Sequence, residues 1–416
     1  MPIRILDVQQ KVDGQSNELS ATVCHGGTRT DISFSRFGSD PAVLESQPSF
    51  DPFLPLLLLP AMKRGEAIEV EGEVDSLLLY RCQTELQDVA ISHVAGLKRI
   101  EVSASPRHST LSSAASHVAT GFSGGVDSMH LLNASLFEKS LPEVMRVSMI
   151  VHNEIGSVKH AQQYENNLTH TQYWAERLGI AWASVRCNVE ELYDGLSFAK
   201  THHFRNAAAA LSLSHLHRSY LYCSSLDTVT SSKIKNATNL NCVEGQLLPL
   251  FETSSNRFYS FGSNATRIEK IKAVLTNADL LEGLNVCARP HHDNAKYLNC
   301  GRCFKCFPFL IVVKGFGQLD HLSHSFDLNA FNRLQGRCML NLFWRGMRSE
   351  GNQFVRHTFN YLRQSKAIAP WWAKLLTYLV PPPFVLLDEK ILAAPIVPLE
   401  QNSRPDDLSV KSESTP

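Results

Sequence analysis

A glycine-rich turn at Ser123–Ser128, with the sequence Ser-Gly-Gly-Val-Asp-Ser, constrains the fold of this chain more than any other stretch. Residues 117–119 before it predict the end of a buried strand, and residues 129–137 after it have the apolar spacing of a helix. Adjacent glycines let the backbone approach a ligand closely, and backbone N–H groups beside a helix N-terminus attract anions. The sequence therefore predicts a phosphate-binding loop between a strand and a helix.

The side chains of this loop suit nucleotide chemistry. Two serine hydroxyls can bind phosphate oxygens, and the Asp127 carboxylate suits a Mg²⁺ ion. The loop contains no lysine, so the Walker pattern, with its Gly-Lys-Ser/Thr, does not apply. The residues predicted to contact phosphate are Ser123, Gly124, Gly125, Val126, Asp127 and Ser128, of which Asp127 and Ser128 are also candidates for catalysis.

The hexapeptide resembles the Ser-Gly-Gly-x-Asp-Ser loop of the PP-loop ATP pyrophosphatases. Enzymes of that superfamily have a HUP-like α/β fold and split ATP into AMP and pyrophosphate, which leaves an adenylated substrate for a nucleophile to attack. The resemblance implies that ATP and Mg²⁺ bind at Ser123–Ser128.

Strands and helices alternate after the loop. Apolar strands are predicted at 144–151, 181–185 and 218–223, with helices at 160–178 and 204–215 between them. Repeated β-α units give a parallel sheet with helices on both faces, so we expect an α/β domain over 117–310. Ligands bind at the carboxyl ends of such strands. His152 and Asn153 there are predicted to contact the nucleotide, with solvent-facing loop residues as the alternative; the segment 224–227 is expected to line the same crevice.

Three cationic side chains are candidates for binding pyrophosphate. Arg205 is predicted near a helix start, and the pair Arg205-Asn206 resembles an Arg-Asn pair of one PP-loop branch. Arg267 and Lys270 are three residues apart on a helix that Ser263 or Asn264 would cap, so they share one face. We expect Arg205 and Lys270 to act in catalysis and Arg267 to bind the cofactor; ordinary solvated surface is the alternative for all three.

Four cysteines form the second strong pattern. Cys300, Cys303 and Cys306 are spaced so that a tight turn can point their sulfurs at one ion, and Cys287 can complete a tetrahedron. Four thiolates make a closed structural zinc site, and an iron–sulfur cluster is the alternative. Arg302 and Lys305 would offset thiolate charge.

The loop and the cysteines together are similar to 7-cyano-7-deazaguanine synthase, the PP-loop enzyme family that converts a carboxy-deazaguanine to a nitrile with ammonia and ATP. The resemblance covers about residues 117–310, and it implies zinc at the four cysteines. It also implies adenylation of a carboxylate or amide oxygen, followed by attack of ammonia or an amine. The flanking regions mark a divergent member. The alternatives are sulfur transfer to tRNA, for which Cys187 and Cys223 are the nearby thiols, and a non-catalytic nucleotide-binding subunit.

Outside the α/β domain the sequence is less specific. Residues 1–105 predict an α+β accessory domain whose last strand covers 98–102, and 106–116 predict a linker. Residues 311–400 predict a helical region, with helices at 326–331, 338–346 and 354–363, and 401–416 predict a disordered tail. The helical region contains six arginines, so nucleic-acid contact is an alternative there, although solvated helix faces are favoured. A protein partner at either end of the chain is a further alternative.

The composition limits the classes of function. The chain of 416 residues has 40 basic and 40 acidic residues, so no general electrostatic attraction for nucleic acid is expected. No stretch is apolar enough to span a membrane, the N-terminus lacks the apolar core of a signal peptide, and ten cysteines are too few for a disulfide scaffold. We therefore expect a cytoplasmic protein, and the resemblance implies an enzyme that acts on a small molecule or a modified base.

Overall fold

A computed structural model describes the chain over residues 1–108, 115–157, 161–193, 195–234, 239–288, 297–348, 353–364 and 371–383. Ten strands form one sheet. In chain order they are β1 (Ile3–Asp13), β2 (Ser16–His25), β3 (Thr28–Gly38), β4 (Ile68–Asp75), β5 (Val102–Arg107), β6 (His117–Gly121), β7 (Met149–Glu154), β8 (Ala181–Cys187), β9 (His217–Cys223) and β10 (Arg257–Phe261).

Helices flank this sheet. The described α-helices are α1 (Phe53–Arg64), α2 (Ser76–Gln83), α3 (Glu85–His93), α4 (Val126–Phe137), α5 (Ala161–Leu178), α6 (Phe198–Ser212), α7 (Thr228–Lys233), α8 (Glu244–Leu247), α9 (Arg267–Leu275), α10 (Ala278–Glu282), α11 (Cys306–Gly315), α12 (Leu328–Arg348), α13 (Gln353–Gln364) and α14 (Trp371–Leu379).

The sheet is mostly parallel, and its strand order is β10-β9-β6-β7-β8-β3-β2-β1-β4-β5. The five strands from β6 to β10 run parallel to one another, which confirms the α/β expectation at that level. The order reverses at β6, which lies between β7 and β9. In open α/β sheets, ligands bind outside the carboxyl ends of the strands at such a reversal, and the glycine-rich loop follows β6 there.

The N-terminal strands continue this same sheet. β3 pairs antiparallel with β8, so that Phe34 lies opposite Cys187 and Gly38 opposite Ala183. One continuous hydrophobic core also extends from Ile3 to Phe258. Residues 1–105 were expected to form a separate accessory domain; instead they share both a sheet and a core with the central region. The reason is that β8 would otherwise expose an unpaired edge.

The C-terminal helices pack on the other hydrophobic core. That core joins the loop helix α4 and helix α9 to α11, α12 and α13, and it includes Met129, Ile271, Phe307 and Phe359. The apolar face of α11 is buried along almost its full length. The C-terminal region therefore lies against the face of the sheet that carries the loop helix.

Several predicted boundaries are wrong. The last N-terminal strand covers Val102–Arg107 rather than 98–102, because the Gln87 amide forms hydrogen bonds with both backbone groups of Ile100. This strand therefore extends into the predicted linker, 106–116. The helices expected at 326–331 and 338–346 form the single helix α12, since Gly336 is accommodated without a break. The helix expected at 354–363 is confirmed as α13. The tail 401–416 lies outside the described residues.

Candidate functional site

The loop after β6 closes on itself through its serines. The Gly125 N–H donates to Ser123 Oγ at 3.3 Å, and Ser128 Oγ donates to the Gly125 carbonyl at 3.0 Å. The two hydroxyl oxygens lie 3.5 Å apart. Helix α4 begins at Val126, within the second half of the loop, so its N-terminal backbone N–H groups belong to the loop. The loop is therefore a compact turn that a helix N-terminus supports.

The two loop glycines have different reasons for being glycine. Gly124 has φ +67°, and a Cβ there would lie 2.5 Å from His170 Cε1. Its carbonyl also accepts from Asn285 N at 2.7 Å, so the turn is fixed from two sides. Gly125 has φ −75°, and a Cβ there would meet only Ser123 Oγ, at 3.3 Å. No fold constraint demands glycine at 125, whereas close approach of a ligand would.

Arg267 and Lys270 converge on the loop carboxylate. Arg267 Nη1 forms an ion pair with Asp127 Oδ2, and Lys270 Nζ lies 3.5 Å from Asp127 Oδ1. Lys270 is 1% exposed and also donates to the Ser224 carbonyl at 2.5 Å. The structure thus brings together three predicted site residues, one from the loop and two from helix α9. They form a compact group with one negative and two positive charges.

Helix α9 begins one turn later than the cap prediction. Thr266, and neither Ser263 nor Asn264, caps it through a capping box with Glu269. The start at Arg267 places Arg267 and Lys270 in the first turn, next to the loop. The expectation that both share one face is met, because both contact Asp127.

His130 joins this group, and the sequence analysis missed it. It follows Asp127 by three residues on α4, so both lie on one side of the helix. Burial and the nearby Lys270 charge lower the pKa of His130 to about 4, although Asp127 opposes the shift. The imidazole is therefore neutral at physiological pH. The three-residue spacing from Asp127 was the available signal.

A cavity of about 90 Å³ opens beside the loop, between the end of β7 and helix α5. It contains the predicted residues Ser123, His152 and Asn153. Burial lowers the pKa of both His152 and His170 to about 4, so both rings are neutral. His170 stacks on Phe122 with ring centroids 5.6 Å apart. The full lining is Phe122, Ser123, His152, Asn153, Ser157, Asn167, His170 and Thr171.

Two polar atoms of this lining lack a protein partner among the described residues. They are Asn153 Oδ1 and His170 Nε2, and both are buried. Asn153 Nδ2, by contrast, donates to Asn206 Oδ1 at 3.1 Å and to Tyr220 OH at 3.0 Å. Buried polar atoms of this kind normally find a partner in ordered water or in a ligand. Both residues belong to the lining of the cavity.

Arg205 is placed differently from the prediction. Helix α6 begins at Phe198, so Arg205 lies in the middle of the helix and not at its start. Its guanidinium lies 3.7 Å from the ring centroid of Tyr193, and it donates to the Ile155 carbonyl at 3.0 Å and to Thr201 Oγ1. Burial lowers its pKa. These contacts hold the Arg205 side chain against the turn that follows β7.

A buried polar network, which the sequence analysis also missed, lies at the carboxyl ends of β9 and β10. His202 contacts Tyr222 OH at 2.5 Å and Asn241 Oδ1 at 2.8 Å. Next to it, His203 Nε2 lies 3.4 Å from Glu244 Oε2, and Ser260 Oγ donates to Glu244 Oε1 at 2.7 Å. The His202-His203 pair was the visible signal, but its partners are 20 to 41 residues away in the chain.

The four cysteines converge as expected. The sulfurs of Cys287, Cys300, Cys303 and Cys306 all lie within 4.8 Å of one another. Asn299 brings the two parts of the cluster together: its Oδ1 accepts from the N–H groups of Val286 and Cys287, and its Nδ2 donates to the Leu284 carbonyl. This amide therefore holds the segment of Cys287 against the turn that begins at Cys300.

The turn geometry and the thiol electrostatics suit a metal. Gly301 has φ +66°, and a Cβ there would lie 2.1 Å from the Asp327 carbonyl, so the turn is tight against α12. The Cys306 N–H donates to Cys303 Sγ at 3.4 Å. Hydrogen bonding among the four thiols lowers the pKa of Cys300 to about 6 and also lowers that of Cys303, whereas it raises the pKa of Cys287 and of Cys306. Two of the four sulfurs thus favour the thiolate form that binds a metal.

The spacing of the sulfurs fits one tetrahedral ion. Zinc–sulfur bonds of about 2.3 Å place the sulfurs of a Zn(Cys)₄ site roughly 3.8 Å apart. A mutual separation within 4.8 Å agrees with this arrangement. The four-cysteine group could therefore bind a metal ion such as zinc.

No protein-family model, curated protein or solved structure matches this chain. Within the described ranges, no helix combines the length and the apolar character that crossing a bilayer requires. The chemistry of the site is therefore inferred from its own residues.

Proposed function

We propose that this protein is an ATP pyrophosphatase that adenylates a carboxylate or amide oxygen and then transfers the activated group to ammonia or an amine. The observation that carries the proposal is the convergence of Asp127, Arg267 and Lys270 at the glycine-rich loop, at the carboxyl end of β6. A loop of backbone N–H groups with two adjacent cations suits a polyphosphate. The small cavity beside Ser123 is placed to take part of the nucleotide or of the substrate.

In the first step, the substrate oxygen attacks the α-phosphorus of ATP, and the bond to the bridging oxygen breaks. Pyrophosphate leaves with the electron pair. Arg267 and Lys270 would neutralise the charge that develops on it, which is the kind of electrostatic stabilisation that accelerates phosphoryl chemistry. Because both cations pair with Asp127 in this structure, phosphate binding would free the carboxylate. Asp127 would hold a Mg²⁺ ion, which would neutralise phosphate charge when bound.

In the second step, a nitrogen nucleophile attacks the activated carbon, and AMP leaves with the electrons of the broken C–O bond. The nitrogen loses a proton to solvent or to a base. The pKa values of His130 and His152, both lowered to about 4, make these rings weak bases, so we assign the proton to solvent. The protein otherwise contributes orientation of the two reactants.

Sulfur transfer is less well supported by the thiols. Cys187 and Cys223 lie at the ends of β8 and β9, and burial raises the pKa of each to about 12. A catalytic cysteine needs a thiolate near neutral pH. The four-cysteine group is proposed to hold zinc in a closed, structural site, since four thiolates leave no open coordination position.

Nucleotide binding tests the proposal without knowledge of the acyl substrate. We expect the purified protein to bind a non-hydrolysable ATP analogue in the presence of Mg²⁺, and Lys270→Gln to weaken binding about 10-fold or more. Lys272→Gln is the matched control: it removes the same charge from the same helix, but Lys272 Nζ lies near the ring of Phe316. Equal effects of the two substitutions would contradict the proposed role of Lys270.

Catalysis is tested separately with α-labelled ATP. Carboxylated bases and other carboxylates are screened with ammonia for release of labelled AMP. An enzyme of the proposed kind forms AMP and pyrophosphate in equal amounts with at least one of them. ATP binding without AMP release in any combination would favour the nucleotide-binding subunit instead.

A further inference from the structure

One face of α12 combines arginines with exposed apolar side chains. The residues of α12 that carry this face are Arg333, Arg337, Leu340, Trp344, Arg345, Met347 and Arg348, all exposed. Trp344 is 58% exposed, which is unusual for so large an apolar side chain. The 21 residues of α12 include four arginines and no Asp, Glu or Lys. We name this surface, together with Phe304 and Lys305, the arginine–aromatic face.

The turn between Cys303 and Cys306 extends this surface. The Arg345 guanidinium lies 4.6 Å from the ring centroid of Phe304, which is itself 51% exposed. On the other side of the turn, Cys338 Sγ donates to the Arg302 carbonyl at 3.5 Å. The four-cysteine turn and α12 are thus packed together, and the two elements present one continuous basic surface.

We propose that the arginine–aromatic face binds a single-stranded nucleic acid. Arginine binds phosphate bidentately and stacks on bases, and every basic residue of α12 is an arginine. Exposed aromatic rings add stacking surfaces that accept any base. From Arg333 to Arg348 the helix extends ~22 Å, which matches about six stacked nucleotides. The complementary charge is the phosphate backbone.

The distribution of charge favours a nucleic acid over a membrane. A helix that lies in a membrane keeps its apolar and cationic residues on different faces. On α12 they share one stripe, because Arg333, Arg337, Leu340 and Trp344 follow one another at three- or four-residue spacing. An acidic protein segment would satisfy the arginines equally, but the helix face, with the exposed rings of Trp344 and Phe304 beside Arg345, resembles a stacking platform more than an apolar groove.

The test uses the full-length protein and a fluorescent 12-nucleotide oligo(U), with anisotropy measured at two salt concentrations. We expect saturable binding that weakens with salt. Arg337→Glu/Arg348→Glu should weaken binding at least 10-fold and reduce the salt slope by about 1.4, since each single-strand phosphate contact contributes ~0.7. Trp344→Ala should weaken binding about 5-fold or more with little change in the slope.

The matched control is Lys11→Glu/Lys139→Glu, which makes the same change in net charge at two exposed positions on other parts of the surface. Metal content and thermal stability are measured for each variant, because the face adjoins the four-cysteine turn. Absence of binding at about 100 μM protein, or equal loss in the control, would overturn the proposal. The proposal would also be overturned if oligo(U) does not bind, while binding to phosphatidylserine vesicles or self-association depends on Arg337 and Arg348. None of these outcomes depends on ATP chemistry.

Discussion

Lys270 is a buried lysine whose partners lie at the candidate site. Its ammonium group is almost fully buried, and it is held by Asp127 and the Ser224 carbonyl. A buried ion pair adds little net stability because of its desolvation cost, but removing one partner of the pair is strongly destabilising. Asp127 therefore serves the fold as well as the proposed chemistry, and its substitution has two consequences that must be separated.

Asp127→Asn is expected to abolish AMP formation. It is also expected to lower the free energy of unfolding by about 2 kcal/mol, because Lys270 loses its counter-charge. This loss is smaller than for a fully buried pair, since the Asp127 side chain is 20% exposed. Adding Lys270→Met should recover part of the stability but no activity. Urea denaturation of the single and double variants measures the coupling. Additive losses of stability would show that the two side chains do not interact.

His217 is a second residue-scale case, and it makes stability depend on pH. The ring is fully buried, and burial lowers its pKa to about 4, although its bond to the Ala210 carbonyl opposes the shift. In the unfolded chain the ring takes up a proton below pH ~6.5, whereas the folded protein does so only near pH 4. The stability is therefore fully present above pH 6.5 and falls between pH 6.5 and 4.

The expected loss at pH 5 is about 2 kcal/mol for this histidine, relative to pH 7.5. Urea denaturation at the two pH values measures it, and His217→Gln should reduce the difference by a similar amount. A variant with an unchanged pH dependence would mean that the pKa of His217 is the same in the folded and the unfolded protein.

At the scale of elements, the loop between β6 and α4 shows which features local sequence determines and which depend on contacts with distant residues. The strand, the glycines and the helix are adjacent in sequence, so their order could be predicted. The contacts that fix Gly124, from His170 on α5 and Asn285 after α10, come from far along the chain and could not. The residues of the network of His202 and Glu244 are also far apart in the chain, so local sequence did not indicate that they meet. The cysteines are close together in the chain, so their cluster could be predicted.

Gly124→Ala and Gly125→Ala are expected to separate folding from ligand binding. Gly124→Ala places a Cβ against His170 at positive φ, so it should lower the melting temperature by several degrees. Gly125→Ala has an ordinary φ, and its Cβ would meet only the rotatable Ser123 hydroxyl at 3.3 Å, so it should melt close to the original protein but bind the ATP analogue at least ~10-fold more weakly. Thermal melts and calorimetric titrations give both quantities. Normal nucleotide binding by Gly125→Ala would argue against backbone contact at this position.

The four-cysteine turn is the second element with a clear test. Cys303→Ser is expected to lower both the metal content and the melting temperature, because its sulfur lies at the centre of the turn and also accepts from the Cys306 N–H. Cys82→Ser is a suitable comparison, since Cys82 is buried in the other core, away from the cluster. Metal analysis of purified protein that shows neither zinc nor iron would exclude the site.

At the scale of the whole molecule, the N-terminal region and the central α/β region are one folded unit. The sequence indicated most of the individual strands but not their union, because the pairing of β3 with β8 joins residues about 150 positions apart. Buried Arg36 contributes to the union. It is 1% exposed, and it donates from β3 to the Ser212 carbonyl at the end of α6 at 2.6 Å and to Asn17 on β2. Nothing in its local sequence predicts a buried arginine.

Arg36→Met should therefore destabilise both regions together. Arg4→Met is the matched control. Arg4 is an exposed arginine of β1 that pairs with Glu69 and Glu71, whereas Arg36 is buried. Removing Arg36 leaves the Ser212 carbonyl and the Asn17 amide without their donor, at a cost of about 1–3 kcal/mol, while Arg4→Met should cost less than ~1 kcal/mol. Hydrogen exchange in increasing urea would show β1–β3 and β6–β9 losing protection at the same denaturant concentration in Arg36→Met. If residues 1–105 formed an independent domain, protection would fall in those strands alone and β6–β9 would be unaffected.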